Sequence, residues 1–150
     1  MHRRQVLAAL AGGALAASAG CLAGVRSATT CSPTASLGMF IENHSPESQH
    51  LDLTIRTTVL GRSVFSDSIE ISGAEDPPGR TSHPERVAIA DAVPNLRRLE
   101  VEVGHAHGTS TYSWRPRCTH LGIRLDRDGR PGFSVLSADQ WARRTADDRS

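Results

Sequence analysis

The amino-acid sequence predicts an all-β fold, an antiparallel sandwich of about seven to nine short strands. From Leu37 onward, apolar residues recur with the period of two that is typical of half-buried strands. Turn-forming residues follow every 8 to 14 residues, and no segment has the length of a convincing helix. Because polar residues occupy the alternate positions, each strand has one solvated face, and we expect two sheets to pack on a shared core.

Length and composition fit one domain and exclude some partners. The chain has 150 residues, 38 % of them apolar, which is enough for one modest core. With only three Phe, two Trp and one Tyr, a stacking platform for nucleic-acid bases is not expected. The formal net charge is +1, and the basic residues are all arginine, so no charge surplus favours a polyphosphate. We expect no nucleic-acid partner.

Residues 1–20 predict an export signal. Arg3 and Arg4 precede an apolar run, Val6 to Ala19, of 14 residues. As a helix this run measures roughly 21 Å, short of a bilayer core of about 30 Å. The arginine pair followed by Gln5, Val6 and Leu7 resembles the twin-arginine export motif, which implies export of a folded domain.

Cys21 directly follows this signal. Ser18-Ala19-Gly20-Cys21 resembles a lipobox, although Ser18 stands where that motif has leucine. The resemblance implies that Cys21 carries lipid, becomes the mature N-terminus and anchors the chain to a membrane. A soluble secreted form is the alternative. Residues 21–36 are small and polar and predict the lipidated cysteine and its tether.

Acylation of Cys21 leaves Cys31 and Cys118. In an oxidising compartment two thiols tend to pair, so we expect a disulfide that contributes about 4 kcal/mol. Two buried thiols, or metal or redox chemistry, are the alternatives. Loss of Arg3 and Arg4 with the signal leaves 15 arginines against 16 acids, so the mature chain is nearly neutral.

Eight apolar runs between residues 37 and 137 predict the strands. They lie at 37–42, 51–59, 65–71, 86–92, 99–103, 112–114, 121–125 and 133–135. The longest predicted loop is Ser72 to Pro84, and Asp126 to Gly129 predicts a hairpin turn rather than a calcium loop. Asn43-His44-Ser45 matches the N-glycosylation sequon. Residues 138–150 are a polar tail that forms a short helical turn or none.

Several of these features together resemble a known family. The twin arginines and Cys21 are followed by Ile41-Glu42-Asn43, then by Tyr112-x-Trp114-x-Pro116-x-Cys118, Leu121-x-Ile123 and Asp128-Gly129. This order resembles small haloarchaeal lipoproteins exported by the twin-arginine route, and the absence of lysine agrees with it. The resemblance implies an immunoglobulin-like sandwich over residues 37–137, held on the outer face of the cell membrane.

The main alternative to a lipoprotein domain without a cofactor is a protein with a metal site. His105-x-His107 and Cys118-x-His120 each place two ligands on one strand face, and such ligands suit copper or zinc. A cupredoxin-like electron carrier would use Cys118 in this way, but no methionine follows Met39. Unliganded surface histidines are the simpler interpretation, and we expect no cofactor.

The sequence contains no G-x-S-x-G and no other catalytic set, so we expect no enzyme. Three hypotheses follow. The favoured one is a membrane-tethered interaction or envelope domain with an envelope protein as partner. The second is a secreted β-sandwich inhibitor or ligand binder that acts through loops such as Ser72 to Pro84. The third is cupredoxin-like electron transfer.

Overall fold

The structure, a computed structural model, describes residue 32, residues 34–75 and residues 84–147. These belong to a compact unit, Cys31–Ser150. The predicted signal, Cys21, Cys31 and residues 76–83 of the longest loop lie outside the described residues. The described elements, in chain order, are β1 (Ser36–Asn43), β2 (Gln49–Thr57), β3 (Ser63–Ile71), β4 (Glu85–Pro94), β5 (Leu99–His105), β6 (Gly108–Trp114), β7 (His120–Leu125), β8 (Pro131–Leu136) and α1 (Ala138–Asp147).

The strands form two four-stranded sheets. The first sheet has the order β4-β1-β7-β8, and the second has the order β3-β2-β5-β6. Neighbouring strands are antiparallel except β1 and β7, which run parallel. The fold is therefore an all-β sandwich of eight strands, as the sequence predicts. The parallel pair has no local signal in the sequence.

The core lies between the sheets and follows the predicted alternation. In β2, Leu51, Leu53 and Ile55 are fully buried, whereas Asp52 on the opposite face is exposed. Leu53 pairs with Val103 of β5, which is also fully buried. Burial of each such side chain contributes about 1.5–3 kcal/mol. The two sheets therefore share one core, with side chains from both.

Strand β1 departs from the alternation because it is buried on both faces. Met39 and Ile41 point into the core, and Phe40 and Glu42 on the outer face are buried as well. β1 is an inner strand of the first sheet, and helix α1 contacts its outer face through Trp141 and Arg144.

Residues 138–147 form a ten-residue helix rather than a tail outside the domain. Ser137 and Gln140 make a capping box: the Gln140 N–H donates to Ser137 Oγ at 3.2 Å, and the Ser137 N–H donates to Gln140 Oε1 at 2.8 Å. The Trp141 ring meets Phe40 edge-on, with centroids 6.5 Å apart. Gly38 permits this packing because a Cβ there would overlap the indole. The sequence pattern does not predict the packing of this helix on the sheet, because only one aromatic side chain of the helix, Trp141, makes the contact.

The strand pairings bring the ends of the strands together at two opposite ends of the sandwich, so the connections between strands lie at these two ends. The entry end holds Ser36, where the chain enters β1, and the connections 58–62, 95–98 and 115–119. Thr57, Leu99 and Trp114 form one rung at this end. The far end holds the connections 44–48, 106–107 and 126–130, together with the described residues 72–75 and 84 between β3 and β4.

Candidate functional site

The four candidate metal ligands do not meet. His105 and His107 lie at the far end, with ring centroids 6.2 Å apart. The His107 Nε2–H donates to the Asp128 carbonyl at 2.7 Å, which joins two turns. Cys118 and His120 lie at the entry end, before and at the start of β7. Across the part of the chain that the structure describes, no three His, Cys, Asp or Glu side chains are placed to hold a metal ion.

His120 is a packing residue of the first sheet. Its Nδ1 accepts a hydrogen bond from the Gly38 N–H at 2.9 Å. Its ring stacks on Trp141, with centroids 4.5 Å apart and planes 13° apart. Burial lowers the pKa of His120 below its usual 6.5, because desolvation disfavours the imidazolium. A neutral ring is also what the bond to Gly38 requires, since Nδ1 must accept.

Cys118 is held at the entry end by Asn95. The Cys118 N–H donates to Asn95 Oδ1 at 3.1 Å, and Asn95 Nδ2 donates to Cys118 Sγ at 3.3 Å. The same amide donates to the Ser32 carbonyl at 3.0 Å, and that carbonyl oxygen lies 3.9 Å from Cys118 Sγ. Ser32 directly follows Cys31 in the chain. Asn95 therefore ties the N-terminal segment to Cys118.

Asn43 of the sequon is a buried structural residue. Its Nδ2 donates to the Glu47 carbonyl at 2.9 Å and to the Ser72 carbonyl at 2.7 Å. Its Oδ1 accepts from the Ser45 N–H at 2.9 Å, and the residue is fully buried. A glycan on Nδ2 would remove one of these bonds and has no space. The sequon match therefore marks a turn and not a glycosylation site in the folded domain.

The predicted hairpin at Asp126 is confirmed. Asp126 Oδ1 accepts from the N–H groups of Asp128 and Arg130 at 2.9 and 2.8 Å. Gly129 has a φ of 75°, which favours glycine. The carboxylate is thus used by the turn itself.

A groove with a volume of about 460 Å³ lies on the outer face of the first sheet, beside α1. Its floor is formed where Gly122 of β7 and Gly132 of β8 lack side chains. Phe40 and Arg144 form the wall toward the helix, and Arg130 lies at the turn beyond. The groove therefore combines an apolar wall with guanidinium groups.

Glu42 organises the charges beside this groove. Its carboxylate lies 2.9 Å from Arg144 Nη1, 3.4 Å from Arg86 Nε and 3.6 Å from His44 Nε2. The Arg144 guanidinium also lies over the Phe40 ring, 5.3 Å from its centroid. Arg144 therefore fixes the C-terminal half of α1 to β1. The only local signal for this site is the spacing of Trp141, Arg144 and Thr145 on one helix face.

No protein family matches the sequence, and no curated protein is similar to it. Among the described residues, no helix is long and apolar enough to cross a bilayer.

Proposed function

We propose that the protein is an exported, lipid-anchored lipoprotein whose immunoglobulin-like β-sandwich serves as a non-enzymatic interaction or envelope domain on the outer face of the cell membrane. One observation carries the proposal. A leader with Arg3-Arg4 and a lipobox-like Cys21 precedes a compact unit, Cys31–Ser150, whose chain enters at one end of the sandwich. An anchor at Cys21 leaves the far end and the groove exposed to partners.

Mass spectrometry of the mature protein from its own host tests the anchor. We expect an N-terminal peptide that begins at Cys21 and carries the mass of a lipid. A Cys21→Ser variant is the matched control and should leave the membrane fraction when the membranes are washed at about 0.5 M salt, which screens any binding through charge. A mature chain that begins at an unmodified Ala23, or an intact Met1, contradicts the anchor.

We also propose a disulfide between Cys31 and Cys118. Its support is the contact between Cys118 and Ser32, the neighbour of Cys31, through Asn95. A thiol count on the denatured chain from Leu22 to Ser150 should find no thiol before reduction and two afterwards. Two thiols before reduction contradict the bridge.

A second candidate is a binder of small carboxylate ligands, favoured by the groove lined by Phe40 and by Arg130, which makes no ion pair with another described residue. Guanidinium groups pair with carboxylates, and the ring offers an apolar contact. N-acetylphenylalanine is a suitable probe in an NMR titration. Arg130→Gln should abolish saturable shifts at Gly122 and Gly132, and Arg143→Gln, on the exposed side of α1, should not. An absence of saturable shifts in the unaltered protein rejects this candidate.

A further inference from the structure

The entry end of the sandwich differs in charge from the far end. Its connections 58–62, 95–98 and 115–119 contain no acidic residue and five arginines: Arg62, Arg97, Arg98, Arg115 and Arg117. The described residues of the far-end connections, 44–48, 72–75, 84, 106–107 and 126–130, include four acidic residues and two arginines. The nearly neutral chain is therefore polarised along its strands.

These five arginines are exposed, and none makes an ion pair with another described residue. The adjoining elements carry acidic residues toward this end, Asp91 in β4, Glu100 in β5 and Asp139 in the first turn of α1, but none of them forms an ion pair with these arginines. Arginines that stabilise a fold commonly pair with a carboxylate, as Arg144 does with Glu42 at 2.9 Å. The charges at the entry end are thus free to meet an external anion.

The same end carries an apolar tip. Val59 is 89 % exposed and Leu60 is 81 % exposed, at the turn between β2 and β3. Two backbone bonds close this turn: the Gly61 N–H donates to the Thr57 carbonyl and the Thr57 N–H to the Arg62 carbonyl, both at 2.9 Å. Leu96, in the next connection, is 36 % exposed. An ordered turn therefore presents apolar side chains to solvent beside arginines.

The chain reaches the sandwich at this end. Asn95, in the connection 95–98, accepts the N-terminal segment: its N–H donates to the Ala35 carbonyl at 3.1 Å, and its Nδ2 binds the Ser32 carbonyl at 3.0 Å. Fourteen residues lie between Cys21 and Ser36, which makes fifteen Cα–Cα steps. They span at most about 50 Å when fully extended. Any anchor at Cys21 therefore keeps the entry end within that distance of the bilayer.

We propose that the entry end is a membrane-docking surface: Val59 and Leu60 enter the interface of a bilayer while the five arginines contact anionic headgroups. Peripheral proteins bind anionic membranes by inserting apolar side chains into the bilayer interface and by placing basic residues against the headgroups. Membrane binding by this surface does not require the proposed lipid at Cys21. The lipid would only help to orient the domain with its entry end toward the bilayer. Docked in this way, the sandwich stands with its strands along the membrane normal and its far end outward.

Co-sedimentation with vesicles tests this surface, using the chain from Leu22 to Ser150, which lacks Cys21 but contains the whole compact unit and its core. The vesicles are phosphatidylcholine alone or with about one third phosphatidylglycerol. We expect binding to the anionic vesicles that weakens as salt is raised from about 0.05 to 0.5 M. Binding to neither vesicle, or equally to both, overturns the proposal, and it leaves the mass-spectrometric test of the anchor unaffected.

Paired variants locate the surface. Arg97→Gln with Arg98→Gln should weaken binding at least tenfold, since each arginine near an anionic surface contributes about fivefold. Val59→Ser with Leu60→Ser should also weaken it and remove the blue shift of a fluorophore attached at residue 58. The control, Arg127→Gln with Arg130→Gln, makes the same change of charge at the far end. Equal losses for the two arginine pairs overturn the proposal, because they indicate attraction by net charge alone.

Discussion

At the scale of single residues, side chains that suggest chemistry in the sequence serve the fold. The buried Asn43 side chain makes three hydrogen bonds at the start of a connection, and Asp126 uses its carboxylate to close a hairpin. His120 is neutral because it accepts from a backbone N–H and stacks on Trp141. Sequon, calcium-loop and metal-ligand patterns share these residue types with ordinary turns and packing contacts.

Asn43→Ala should lower the free energy of unfolding by about 3 kcal/mol, because it leaves the Glu47 and Ser72 carbonyls and the Ser45 N–H without this partner. Urea denaturation measures the loss. Ser48→Ala, at an exposed position in the same connection, should change stability by less than about 0.5 kcal/mol. Equal effects of the two substitutions would contradict the structural role of Asn43.

The stability of the domain should fall as pH drops below about 6.5. The pKa of His120 is lower in the folded than in the unfolded state, so the unfolded chain binds the proton first. The contribution of His120 is full above 6.5 and is lost as pH falls toward the folded-state pKa. Urea denaturation between about pH 5 and 7.5 measures this slope.

His120→Phe retains the stack on Trp141 but cannot titrate, so the slope should decrease. His50→Phe, with a side chain that is 64 % exposed, is the control and should retain the slope. An unchanged slope in the His120 variant would show that other groups cause the pH dependence.

At the scale of elements, helix α1 shows how a short polar segment joins a sandwich. It is stabilised by the Ser137 capping box, by the Arg144–Glu42 ion pair and by Trp141, which packs over Gly38. None of the helical residues is fully buried. The helix therefore depends on one aromatic side chain, and the groove beside it depends on the position of the helix.

Trp141→Ala should destabilise the domain by about 2–3 kcal/mol, less than the 3–5 kcal/mol typical of a fully buried tryptophan, because this ring is half-buried. Thermal unfolding measures the change, and NMR should show loss of helical shifts over Ala138–Asp147. Arg143→Ala, on the exposed face of the same helix, should leave both readouts unchanged. Retention of the helix in the Trp141 variant would contradict this dependence.

At the scale of the whole molecule, the two ends differ in role. The entry end gathers Cys118, Asn95, the incoming chain and the proposed docking surface, and the far end gathers the acidic connections and the histidine turn. A bridge from Cys31 to Cys118 would join the chain start to the last third of the sequence at the entry end.

Replacing both Cys31 and Cys118 by serine should lower the free energy of unfolding by about 4 kcal/mol, the loop-closure value for a bridge across most of the domain. Guanidinium denaturation measures the loss. Cys31→Ser alone should cost nearly as much as the double variant, because either change breaks the bridge. A single variant as stable as the unaltered chain would contradict the bridge.

The sequence by itself determined the fold class, the positions of the eight strands and the Asp126 hairpin, because period-two alternation and turn chemistry are local properties of the chain. The sequence-based predictions of export and of the lipid anchor depend on the leader and await their own tests. Tertiary structure alone decided that β1 and β7 run parallel, that the four metal candidates divide between two ends, and that Trp141 covers His120 and Phe40. These facts join residues distant in sequence, and no local pattern records which distant side chains meet.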